Sequence, residues 1–323
     1  LMEQNEEMRV IAVGDDDQNI YGFRGASSKY LEEIIQVNQA TKYELVENYR
    51  SKSNLVDFTN QFVKRIQHRL KDTPIIPIQT DLGNIKLVRY QSAHLSTPLV
   101  NDILMTDHSG TTCVLTKTNE EALQITGLLL KNGLQAKLIQ TNEGFSLYNL
   151  TEVRFFLIRL NLADDVFLIN EDVWKSAKRE LVNKFRISNK LELCKNIIKD
   201  FEATNSKRKY KSDLEVFIRE SKLEDFIRED GETVFVSTIH KAKGKEFDTV
   251  FLMLDNFNLA TDEAKRQVYV AMTRAKQNLN IHMNSNFLDA LSAQNLERIE
   301  NSEIHLPPNE LAIHLTHKDV WLD

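Results

Sequence analysis

With 323 residues, 41% of them hydrophobic, the chain can bury a substantial core, and one large domain with a smaller one is expected. A formal net charge of −6 argues against a protein that coats nucleic acid indiscriminately, so any nucleic-acid contact is expected to be local. Cys113 and Cys194 lie far apart without C-x-x-C or His-rich spacing, which supports neither a disulfide framework nor a structural zinc site. No apolar run approaches the roughly 20 residues of a membrane span, and Leu1-Met2-Glu3-Gln4 lacks a signal pattern, so a soluble, cytoplasmic protein is expected.

Along the chain, short apolar runs rich in β-branched residues alternate with segments of helical period, the pattern of an α/β fold with a parallel sheet flanked by helices. Strands are predicted at Arg9–Val13, Tyr43–Val46, Ile85–Tyr90, Thr112–Thr116, Ala136–Gln140, Thr233–Thr238, Thr249–Leu254 and Leu279–His282. A helix is predicted over Ser53–Arg69, where Leu55, Phe58, Phe62, Val63 and Ile66 form one stripe and Ser51 or Ser53 offers a cap. Glu120–Asn132 and Thr261–Lys276 read the same way. From about Glu143 to Asp230 the period is helical almost throughout, which predicts a helical insertion. Within it, Lys175–Lys211 carries 12 Lys/Arg against four Asp/Glu, a local surplus that fits a solvated face and a phosphate-contacting surface equally well.

Val13-Gly14-Asp15-Asp16-Asp17-Gln18-Asn19-Ile20-Tyr21-Gly22-Phe23-Arg24-Gly25-Ala26 follows the first predicted strand, which would put its polar residues at the carboxyl edge of a parallel sheet, where ligands bind. A strand followed by Gly-Asp is usually a plain turn. Two aromatics and an arginine between glycines make poor core and a good stacking platform for unpaired bases, each stack contributing about 1–3 kcal/mol, although core packing of Tyr21 and Phe23 stays open.

This segment resembles motif III of the UvrD/Rep helicases of superfamily 1 almost residue for residue. Three further blocks agree in order. Leu45-Val46-Glu47-Asn48-Tyr49-Arg50-Ser51 resembles motif IV, Val236 to Asp248 (VSTIHKAKGKEFD) resembles motif V, and Val268 to Lys276 (VYVAMTRAK) resembles motif VI. Thr151-Glu152-Val153-Arg154-Phe155-Phe156 and Asp164-Asp165 are similar to the helix that leads into this family's inserted subdomain.

The resemblance implies roles residue by residue. Gln18 would sense the γ-phosphate of ATP, and Arg50 and Arg274 would reach the same phosphate from the second RecA-like lobe, Arg274 as arginine finger. Alone, an arginine before Ala-Lys on an amphipathic helix is ordinarily a surface ion-pair partner. Glu246 would hold the ribose, Gly244 would let the chain turn close to the ligand, and Tyr49 would stack near the base, although a half-buried aromatic at a seam is an equal reading. Tyr21, Phe23, Arg24, Thr238 and His240 would contact DNA. His240 by itself reads as an ordinary surface histidine. Lys245 departs from the family, which has an apolar residue there.

Implied with these is a division into residues 1–40, the tail of a first RecA-like domain; 41–145 and 231–300, the second; 146–230, a reduced 2B-like insertion; and 301–323, a linker and the start of an extension. No G-x-x-x-x-G-K-[ST] occurs, because Gly244-Lys245 continues into Glu246-Phe247, and the Asp-Glu pair of motif II is absent too. The chain is therefore expected to be the C-terminal portion of an ATP-dependent DNA helicase, inactive as an ATPase by itself, with ATP and Mg²⁺ used by the full-length protein and none bound tightly here. Expected partners are single-stranded and duplex DNA and the N-terminal RecA-like domain, with no membrane. A non-catalytic binding module, and the motor of a helicase–nuclease or helicase fusion, are the alternatives. Repair and replication restart are expectations of the family alone.

Overall fold

The computed structural model describes residues 10–36, 40–107, 109–140, 147–161, 167–188, 190–221, 233–308 and 320–322. The chain divides into two compact units, Leu1–Leu138 with Glu232–Leu315, and Ile139–Gly231 with Thr316–Asp323.

In the first unit, β1 (Glu47–Asn48) and β2 (Ile76–Pro77) form a short parallel pair. The strands β3 (Asn84–Tyr90), β4 (Thr112–Thr116), β5 (Ala136–Gln140), β6 (Val234–Thr238), β7 (Phe247–Leu254), β8 (Ala275–Met283) and β9 (Leu296–Asn301) line up in the order β5-β6-β4-β7-β8-β3-β9. Every pairing among them is parallel. Such a sheet is covered on both faces, so its central strands are apolar without alternation: all five residues of β4 are buried. Helices α3 (Ser96–Met105) and α4 (Asn119–Lys131) close one core, with Leu95, Leu99, Ile103, Ile125 and Leu129 against Val114, Val236 and Phe251. The start of α4 is fixed by a capping box in which the Thr118 hydroxyl accepts from the Glu121 N–H and the Glu121 carboxylate accepts from the Thr118 N–H. Helices α2 (Ser53–Val63) and α9 (Asp262–Met272) pack on each other and against β8. Helix α1 (Lys29–Gln36) belongs to the same unit.

Several expectations need correction. Residues 10–13 make no strand, and Val10, Ile11 and Val13 are 47%, 89% and 85% exposed: β-propensity makes a strand only where a neighbour takes up its hydrogen bonds. Pairing near Tyr43–Val46 falls instead on Glu47–Asn48. The first long helix ends at Val63, not Arg69, because the N–H groups of Gln67, His68 and Leu70 turn to the carboxylates of Asp262 and Asp16. Neither serine caps it: Ser51 donates to the Ala275 carbonyl and Ser53 to that of Asp81. The helix starting after Thr261 stops at Met272, since Ala275 already pairs with Phe247 in the sheet. Strand β9 was not foreseen, because LERIEN is a half-exposed run with too few apolar residues to stand out.

The second unit is helical, as expected from its period: α5 (Thr151–Leu160), α6 (Glu171–Phe185), α7 (Leu191–Thr204) and α8 (Lys211–Glu220). An isolated antiparallel bridge joins Leu168 to Tyr210. Trp174 centres the core, fully buried and edge-on to Phe156 at 5.0 Å, with its indole N–H donating to Glu202 at 2.7 Å. Much of the basic surplus is internally paired: Lys178 with Glu202, Lys195 with Glu192 and Lys209 with Glu171. Asp164 and Asp165 lie outside the described residues.

Candidate functional site

The segment after residue 13 folds into two single 3₁₀ turns, Asp16–Gln18 and Gly22–Arg24. Asp15 caps the first, its carboxylate accepting the Asp17 N–H at 3.2 Å. Gly25 closes the second with φ +83°, a left-handed conformation that glycine adopts without steric cost.

Arg274 stands between the end of α9 and the start of β8, 2% exposed. Its Nε donates to the Val270 carbonyl at 3.0 Å, its Nη1 to the Lys245 carbonyl at 3.1 Å, and its Nη2 to Thr273 Oγ1 and Gln18 Oε1, both at 3.1 Å. Two of these acceptors are local and a third is a backbone carbonyl, so the planar fork is aimed before it meets Gln18. The other end of the Gln18 amide donates to Asp15 Oδ2 at 2.7 Å. Since a guanidinium only donates and a carboxylate only accepts, a single orientation of that amide satisfies both.

Arg50 forms an ion pair with Glu246, just before β7, and its charge is near enough to Arg274 to weigh on it: burial first and Arg50 second push the Arg274 guanidinium down to about 10. Gln18, Arg50, Glu246 and Arg274, separated by up to 256 positions in sequence, are thus brought into one neighbourhood. Tyr49 is beside them in sequence, 67% exposed, with its phenol donating to Glu47. Gly244 has φ +87° and open space where a Cβ would stand, so backbone conformation, not crowding, explains the glycine. Lys245 is engaged through its carbonyl, which Arg274 reads, so the departure from an apolar residue leaves that contact intact.

A second grouping lies on the same unit. The Tyr21 phenol donates to the His240 carbonyl at 2.8 Å, and the two rings are 5.9 Å apart. Arg24 and Lys243 stand over the Tyr21 ring at 5.6 and 5.0 Å. Burial lowers the His240 pKa, favouring the neutral ring. Thr238, the last residue of β6, is buried, and its hydroxyl accepts from the Lys241 N–H at 3.4 Å. Phe23 has its backbone in the Gly22–Arg24 turn, while its side chain lies outside what the structure describes.

Residues that sequence reasoning left out complete the arrangement. Arg69 grips Asp17 with two bonds of 2.8 Å, Lys71 reaches Asp15 at 2.6 Å, and the Leu70 N–H donates to Asp16 at 2.6 Å. The three carboxylates lie within 4.8 Å of one another, as a cation site would require. Each is already taken by these donors, so the trio does not fit Mg²⁺ while they stay in place. Only the run of three aspartates could have signalled it.

A parallel α/β sheet flanked by helices, with a helical insertion between β5 and β6, defines the class. The UvrD-like helicase C-terminal domain matches residues 43–187 and 169–286, the UvrD/REP helicase N-terminal domain matches residues 1–39, and the chain belongs to the UvrD-like helicase family. Gabija protein GajB of Bacillus cereus is 24% identical over 308 residues, covering 86% of this chain and 58% of the relative. The putative ATP-dependent DNA helicase YjcD of Bacillus subtilis is 24% identical over 361 residues, covering 84% of this chain and 48% of that protein. DNA helicase II of Haemophilus influenzae is 37% identical over 62 residues, 19% of this chain and 8% of its own. The chain spans about half the length of the long-matching relatives. The C-terminal domain of a possible DNA helicase from Lactobacillus plantarum has a TM-score of 0.39 at 17% identity, over 78% of this chain and 98% of that one. Among the described residues no helix is long and apolar enough to cross a membrane.

Proposed function

We propose that this chain is the C-terminal part of an ATP-dependent DNA helicase that moves along single-stranded DNA, 3′ to 5′, and unwinds duplex. The observation that carries the reading is the Gln18–Arg274 hydrogen bond with the Arg50–Glu246 pair beside it. Two guanidiniums and an amide brought close together suit a γ-phosphate, where negative charge must be stabilised during transfer. Gln18, Arg50 and Arg274 act on the phosphate, Glu246 and Tyr49 on the nucleoside, and Gly244 lets the backbone turn.

In this reading residues 1–40 belong to the first RecA-like lobe, 41–145 and 231–300 to the second, and 146–230 to a reduced 2B-like insertion. The match of residues 1–39 to an N-terminal domain supports a boundary there. A phosphate loop, absent from these 323 residues, and the carboxylates for Mg²⁺ lie on another part of the protein. When bound, Mg²⁺ would neutralise the β- and γ-phosphate oxygens. Tyr21, Arg24, His240 and Thr238, with Phe23, meet the strand, where Tyr21 offers a ring flanked by two cations. The protein works in the cytoplasm.

The test is ATP turnover and strand displacement by the whole protein, with and without single-stranded DNA. DNA-stimulated turnover that Arg274→Ala abolishes is expected, and the 323-residue chain alone is expected to be inactive. DNA binding by the whole protein without any turnover would overturn the reading in favour of a non-catalytic module.

A further inference from the structure

Between α2 and β2 the chain runs through Gln67-His68-Arg69-Leu70-Lys71, a stretch that matches no motif. Its backbone binds α9 at one end: the N–H groups of Gln67 and His68 donate to Asp262 at 3.1 and 3.2 Å, and Arg266 Nη2 donates to the His68 carbonyl at 2.6 Å. Its other end binds the Asp16–Gln18 turn. Asp17, fully buried, takes both arms of Arg69, and Lys71, 17% exposed, lies 2.6 Å from Asp15 and 3.5 Å from Asp17. A buried carboxylate without a partner is costly, so these cations are a condition of the turn and not an ornament on it.

Asp15 is the shared member. It accepts from Lys71 through one oxygen and from Gln18 through the other, and Gln18 in turn accepts from Arg274. The chain Lys71–Asp15–Gln18–Arg274 is continuous, with every donor facing an acceptor. Remove Lys71 and Asp15 loses the bond that fixes its rotamer. Gln18 then loses the anchor that aims its oxygen at the guanidinium.

We infer that Arg69 and Lys71 are positioning residues, which hold Asp15–Asp17 so that Gln18 is presented to Arg274. They act through Asp15 and Asp17. Any movement of residues 67–71 relative to the turn is therefore felt at the Gln18 amide, and the same stretch is bonded to the start of α9, beyond whose far end Arg274 follows.

The test uses the whole protein and the variants Lys71→Met, Lys71→Arg and Arg69→Gln. Its kinetic arm rests on the helicase reading and its spectroscopic arm does not. Lys71→Met is expected to lower kcat at saturating ATP and single-stranded DNA by about tenfold, the scale of a misplaced reacting group, with KM for ATP changed less than about twofold. Lys71→Arg is expected to restore most of kcat. In ¹⁵N NMR, the Arg274 Nε–H and the Gln18 side-chain amide are expected to shift toward free-side-chain positions in Lys71→Met and Arg69→Gln and to stay in place in Lys71→Arg. Should Lys71→Met not fold, Asp15→Asn, which removes one charge at constant shape, is expected to give the same shifts. Unchanged Arg274 and Gln18 signals in the folded variants overturn the inference, as does an equal loss of kcat in Lys71→Arg. If the wild-type protein turns over no ATP, the helicase reading fails, and the NMR arm still decides this one.

Discussion

Gln18 Oε1 accepts a hydrogen bond from Arg274 Nη2 at 3.1 Å, across 256 positions of sequence. The guanidinium is held from behind by the carbonyls of Val270 and Lys245, so its direction is set by backbone and only its tip is free to exchange partners. Lysine keeps the charge but cannot reach this set of acceptors with one ammonium. Arg274→Lys is therefore expected to leave buried carbonyls unpaired at a cost of about 1–3 kcal/mol in denaturant melts. It is also expected to reduce ATP turnover of the whole protein by about 100-fold or more. Turnover within threefold of wild type would show that the arginine is structural.

Arg50 and Glu246 make an ion pair whose side chains are 38% and 45% exposed. Pairs in that setting contribute about 0–1 kcal/mol, so Glu246→Gln is expected to leave the melting temperature nearly unchanged. If Glu246 holds the ribose as proposed, the effect of the substitution is expected in nucleotide affinity, through the loss of the acceptor's charge and the freed Arg50. Titration of the whole protein with a fluorescent nucleotide, alongside a melt, separates the two: a large stability loss with unchanged affinity contradicts the assignment.

Lys207, Arg208 and Lys209 look alike in sequence and are not alike in the fold. Lys209 is 8% exposed, 2.9 Å from Glu171 and 5.5 Å from the centre of the Trp174 ring, while its two neighbours are exposed. Charge reversal at Lys209 is expected to destabilise the helical unit by about 2 kcal/mol or more, since it places like charges together against an aromatic. Reversal at Lys207 and Arg208 is expected to leave folding intact, and only this pair can report on duplex DNA. A salt dependence of duplex binding that stays the same in the double variant would remove them from the DNA interface.

Asp102 lies between Lys86 Nζ at 2.6 Å and His282 Nε2 at 3.1 Å, and Tyr90 donates to His282 Nδ1 at 2.8 Å. Burial raises the carboxyl, but His282 and Lys86 outweigh it and hold the pKa at about 2, below its ordinary 3.8. A group depressed on folding contributes stability that is complete above its unfolded pKa and fades as pH falls through the folded one. Asp102→Asn is thus expected to cost about 1–3 kcal/mol at neutral pH, and the difference from wild type is expected to shrink between about pH 4 and pH 2. Urea melts across that range check it; a constant difference would mean that packing, not charge, is at stake.

The sequence by itself determined the class. Six of the strands and the helical character of the insertion are carried by local period, because a buried parallel strand must be apolar and a packed helix must have a stripe. The four collinear blocks also marked Gln18, Arg50, Glu246 and Arg274 in advance. Tertiary structure alone decided which neighbours these residues have. Arg69 and Lys71 carry no local signal, since an arginine and a lysine after a helix are ordinary surface residues until a buried carboxylate from a distant segment reaches them. For the same reason the apolar run at residues 10–13 misled: its composition is that of a strand, but a strand is a relation between segments, and hydrogen-bond partners cannot be read from one stretch of chain.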